Sequence, residues 1–167
     1  MQITETLVYP APPDVVYTMM TDEEFHDRVC VATYATSHSA EVTWTQGRAT
    51  VITHRVMPTG SFPDFAKAIV GNSLELVETI RYADADADGG RVGDLRIALG
   101  STPIGLIGAI RIVPMEGGTE VTFEGNLKCT VPFLGGKIES AAAPTVIAGV
   151  HKEYGVGMAW LAELGHE

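Results

Sequence analysis

The chain has 167 residues, a formal net charge of −10, 46% apolar residues and 19% charged ones. That length suits one domain, residues 1–167, with a core of its own, and so much apolar content excludes a disordered chain. The negative charge argues against nucleic acid and anionic membrane surfaces as partners, because both select basic patches.

Every apolar run is broken by Gly, Pro or Arg before the ~18 residues a membrane span needs, so no integral membrane segment is expected. The opening MQITETLVYP has neither the basic start nor the apolar stretch of a secretion signal, and the cytoplasm is the expected compartment. Cys30 and Cys129 stand outside any CxxC spacing. They are expected as two buried thiols rather than a metal site or redox pair.

In chain order, residues 2–9 alternate Ile3, Glu5, Leu7 and Tyr9 and predict a strand. Pro10 to Pro13 end it, and Pro13 suits the first turn of a helix, where its missing N–H is not needed. Val15, Val16, Met19 and Met20 recur at helical spacing, and Asp22, Glu23 and Glu24 open a second short helix to about Ala32. In 38–45, Ala40, Val42 and Trp44 alternate with polar residues. Gln46-Gly47 reads as a hairpin turn, and 48–57 as the return strand.

Pro63 to about Val70 reads as a helical turn. Strands follow at 73–82, with Leu74, Leu76, Ile80 and Tyr82 on one face, and at 91–99, with Leu95, Ile97 and Leu99. The next, about 104–113, is almost wholly apolar. Residues 119–130 alternate most cleanly: Val121, Phe123, Gly125, Leu127 and Cys129 against polar neighbours, the habit of an antiparallel sheet wet on one face. From Phe133 to Leu164 an Ala-, Gly-, Ile- and Val-rich stretch predicts a helix of roughly 30 residues, with Pro144 kinking it or marking its true start.

Among motifs that carry chemistry, most fail. Asp84, Asp86, Asp88 and Gly89 imitate a calcium loop, but Leu95 stands where the bidentate Glu belongs, so a solvated hairpin is expected. There is no HExxH, GxSxG, P-loop or GxGxxG, and no nucleophile meets a base. No cofactor and no metal is expected.

The order of strand, two short helices, six strands and long helix resembles the helix-grip fold of the START-like superfamily, also called SRPBCC. The segment VYPAPPDVVYTMMTDEEF (8–25) is similar to its strand-to-helix entry, and TVPFLGGKIE (130–139) to its entry into the last helix. With PDFAKAIVGNSLELVETIRY (63–82), these suggest an uncharacterised bacterial branch. The resemblance implies an α+β fold in which about seven antiparallel strands curve around the C-terminal helix. It also implies a cavity between them for lipids, sterols, polyketides or similar molecules.

Placed in that fold, the strand faces put Val42, Trp44, Leu76, Ile80, Leu95, Ile97, Ile110, Phe123 and Leu127 toward the cavity. The helix would close it with Ile147, Val150, Tyr154, Met158 and Leu161, and Gly125, Ala142 and Gly157 would leave room. Glu78 interrupts an apolar face and is the candidate polar group. A two-residue turn at Gln46-Gly47 would pair residue 44 with 49 and turn Thr53 and Arg55 inward, with Arg55 against Glu78. A turn one residue longer would turn His54 inward instead. His151 falls at the cavity edge or in solvent.

The expected role is non-catalytic binding of a hydrophobic or amphipathic small molecule. The alternatives are a polyketide cyclase- or dehydratase-type enzyme, with Glu78, Tyr154 or His54 moving protons, and a protein-partner module with a collapsed cavity. Oligomeric state stays open, although an edge strand such as 38–45 could pair with another chain.

Overall fold

The computed structural model describes residues 1–167. The first strand, β1 (Gln2–Tyr9), is followed by helices α1 (Pro13–Met20) and α2 (Glu23–Ala32). Pro13 sits at the first turn of α1, and the Asp22 carboxylate caps α2 by accepting from the N–H groups of Glu24 and Phe25. Such a cap is worth about 1 kcal/mol.

Strands β2 (Ser37–Thr45) and β3 (Arg48–Pro58) form a hairpin, helix α3 (Asp64–Val70) intervenes, and β4 (Ser73–Tyr82), β5 (Arg91–Leu99), β6 (Ile104–Met115) and β7 (Gly118–Cys129) follow. Helix α4 (Gly135–Glu163) ends the fold. All neighbours pair antiparallel in the order β1-β7-β6-β5-β4-β3-β2, with the two edges at β1 and β2. This is the α+β helix-grip architecture that the element order predicts. No helix is long and apolar enough to cross a membrane.

The β2–β3 turn fixes the register that the sequence leaves open. Gln46 and Gly47 both take positive φ, 52° and 77°, as a tight hairpin turn requires, so Trp44 pairs with Ala49. Thr53 and Arg55 therefore face inward, and His54 faces solvent.

Helix α4 runs through Pro144 without ending there, so that proline marks no helix start. Its approach to β1 depends on Gly157, where a Cβ would come within 2.6 Å of the Tyr9 ring. The expectation that Gly125 and Gly157 leave open space is corrected here. Tyr9 fills the place at Gly157, and Leu106 covers Gly125. One apolar cluster of 27 buried residues joins strands β1 and β3 to β7 with helices α1, α2, α3 and α4.

The hairpin between β4 and β5 uses its own carboxylates. Asp86 accepts from the N–H groups of Asp88 and Gly90, and Asp84 pairs with Arg48 at 2.8 Å. Cys30 and Cys129 are free and buried.

Candidate functional site: a cavity under the long helix

Inward-facing strand residues and the underside of α4 do not meet everywhere. Between them lies a cavity of about 530 Å³ lined by 37 residues, 26 of them hydrophobic. That size lies within the range that holds a small organic molecule. The exposed wall residues mark its opening: Tyr34, Pro58, Ser61 and Pro63 on one side, and Pro144, Thr145 and Ala148 of α4 on the other.

Of the strand residues expected at the cavity, Leu76, Glu78, Ile80 and Leu95 line it. So do Ile97, Ile110, Phe123 and Leu127. Val42 and Trp44 do not. Edge strand β2 lies beyond the cavity, with Val42 against the core margin and Trp44 55% exposed, its ring edge-on to Tyr17 of α1.

From α4, Val150 and Ala142 line the cavity, but Ile147, Tyr154 and Met158 do not. The stripe that faces the cavity runs Ile138, Ala142, Thr145, Gly149 and Glu153. Ile147, Tyr154 and Met158 stand roughly half a turn round from it, at 3.6 residues per turn. Tyr154 instead donates to the Val8 carbonyl at 3.0 Å and packs on Tyr9, while Leu161 is buried in the core beyond the cavity. His151 is exposed and 2.8 Å from Glu5.

A polar group gathers at one end of the apolar wall. Thr53 pairs directly with Glu78 across β3–β4, which sets Arg55 diagonally opposite Glu78. The Arg55 guanidinium lies 3.5 Å from the Glu78 carboxylate, with both side chains 11% exposed. Arg55 also donates to Thr33 Oγ1 at 3.5 Å, and Thr33 lines the same end.

Glu153 projects from α4 onto this wall, a residue the sequence reading passes over. Its signal is there: it lies three residues after Val150 and four before Gly157, in phase with the helix's inner face. Burial, and then the Glu78 charge, push the Glu153 carboxyl up to about 7, against a partial pull downward from Arg55. Burial likewise pushes His26 below its ordinary range, its Nε2 bonded to the Met20 carbonyl at 2.8 Å, and pushes the Cys30 thiol up to about 11. No three His, Cys, Asp or Glu side chains stand close enough to hold a metal ion.

The family described as "Protein of unknown function (DUF2505)" matches residues 4–161. The chain belongs to this family. No curated protein matches the sequence. Among solved structures, this DUF2505 chain is similar to TTHA0849 from Thermus thermophilus, with a TM-score of 0.60 at 15% identity, covering 95% of this chain and 98% of that one. It is similar to a STAR-related lipid transfer protein from Xanthomonas axonopodis, with a TM-score of 0.61 at 13% identity over 96% and 85% of the two chains. The di-domain ARO/CYC StfQ of the steffimycin biosynthetic pathway gives 0.65 at 12% identity, covering 98% of this chain and 51% of StfQ. At such identities the likeness is one of fold, and the fold of this DUF2505 member is START-like.

Proposed function

We propose that the protein binds a hydrophobic or amphipathic small molecule, without turning it over, in the cavity between its sheet and α4. The observation that carries this reading is the cavity itself: about 530 Å³, mostly apolar, open beside α4 and polar at one end. Apolar burial would drive binding, at roughly 25 cal/mol per Å² removed from water, and the polar end would orient the ligand. The lipid-transfer and ARO/CYC relatives of the fold support an apolar cargo class. A wall held open to this extent weighs against the collapsed partner module.

Native mass spectrometry of the purified protein, followed by denaturing analysis of anything released, tests the reading. A stoichiometric apolar compound is the expected result. A clean protein mass, together with no shift in melting temperature across a library of apolar compounds, would overturn it.

A second reading, an enzyme of cyclase or dehydratase type, is favoured by one observation. Arg55, Glu78 and Glu153 meet on one stretch of cavity wall, where groups able to donate and accept protons would face a bound carbonyl compound. Tyr154 and His54 stand away from the cavity and take no part in it. Recovery of a bound compound in a form differing by one water from the form supplied would select this reading over the first.

A further inference from the structure

The polar end of the cavity sets two carboxyl groups, Glu78 and Glu153, against one guanidinium, Arg55, with Lys152 at the opening. Arg55 is its one guanidinium, and both terminal nitrogens are engaged, Nη2 with Glu78 and Nη1 with Thr33. Its Nε is sealed from the cavity and has no partner. That leaves Glu153 on the wall with no hydrogen bond or ion pair inside the protein.

Among the other groups near Glu153 the one further cation, Lys152, is turned to the opening. Tyr9 of β1 lines the cavity and Tyr82 of β4 is buried beyond it, and burial holds both phenols in the neutral form. From α2 come Cys30, a neutral thiol, and His26, which burial keeps uncharged. Lys152, beside Glu153 in sequence, sends its Nζ to within 3.7 Å of the Tyr34 ring at the opening. A carboxylate head would add a third negative charge next to a guanidinium already shared. An alcohol head would hydrogen-bond, yet leave the Glu153 charge unanswered.

We propose that the molecule this cavity takes is an amphiphile with a protonated amine head, its chain along the apolar wall and its nitrogen against Glu153. This rests on the cavity reading above. It also sets the sign of the pH dependence. A cationic head favours ionised Glu153, so its binding tightens as pH rises through about 7. A neutral ligand that only displaces water favours the protonated carboxyl and tightens in the opposite direction.

The test displaces the neutral dye Nile red from the full chain with decylamine, decanol and decanoate at pH 6 and pH 8. Decylamine is expected to displace the dye at a concentration at least ~10-fold lower than decanoate at pH 8. It should weaken roughly 5- to 10-fold at pH 6, where a carboxyl titrating near 7 is mostly protonated. In Glu153→Gln both effects should vanish while decanol binding persists, which also reports that the variant is folded. Decanoate binding as tightly as decylamine, or an amine preference that survives Glu153→Gln, would overturn the head-group assignment alone. Failure of both Nile red and decanol to bind would remove the cavity reading, and the amine head with it.

Discussion

Glu78 and Glu153 share a wall but are held differently, and their substitutions should behave in opposite ways. Glu78 neutralises Arg55 where both are nearly buried. Glu78→Ala strands the guanidinium, and a loss of about 2–4 kcal/mol is expected in urea unfolding. Glu153 has no such partner, and its carboxyl titrates near 7 in the folded protein against an ordinary value of 4.5. The folded state therefore holds its proton more tightly than the unfolded chain. Stability from this group falls as pH rises from 4.5 to 7 and stays at the lower level above. Glu153→Gln removes that loss, so the variant should exceed the parent by on the order of 1–2 kcal/mol at pH 8, with the difference shrinking toward pH 5. Unfolding curves for the two proteins at both pH values check the sign.

At the scale of elements, strands and helix are legible to different degrees. A strand alternates with period two, so an apolar face is either in or out, and β4 to β7 deliver their expected residues to the cavity. Val42 and Trp44 share the alternation, but α1 and α2 rather than α4 pack over that end of the sheet. Pairing alone does not show where a covering helix stops. The inner stripe of α4 is hidden from a reading that follows bulky residues. Bulk is concentrated on the side on which the helix is packed, as at Tyr154 on β1, whereas the side over the cavity carries Ala142, Thr145, Gly149 and Glu153 beside Ile138 and Val150. Small residues in helical phase are the signal of that space, and Glu153 is the carboxylate set among them.

Gly149 offers a test at this scale. A Cβ there would meet nothing within 4 Å, and the residue lines the cavity. Gly149→Leu should therefore extend into the open space rather than strain the core. A gain of ~0.5–1 kcal/mol in stability is expected from helix propensity. Nile red binding should fall in the same variant, and a variant both more stable and weaker in binding would separate the cavity from the core.

Across the whole molecule, sequence identities of 11–16% to the solved structures accompany a likeness of fold, with a TM-score of 0.57 at both ends of that range. In this chain the patterning of apolar and polar residues fixes where strands turn and which faces meet, and that is why the fold is legible here. The cavity's contents are not, because they depend on which side chains are small, charged or absent at a few inner positions.

The space beneath α4 also bears on how the protein responds to compression. Unfolding abolishes that space, so the unfolded chain with its water occupies less volume than the folded protein, and pressure favours it. The cavity opens beside α4, so only the part of its about 530 Å³ that stays dry adds to the ~20–100 mL/mol volume change of unfolding usual for globular proteins. Gly149→Leu, which occupies part of the cavity, should raise the pressure at which the tryptophan fluorescence reports unfolding. A bound amphiphile should raise it further. Hydrostatic pressure would then read the filling of the cavity directly, whatever the chemistry of its occupant.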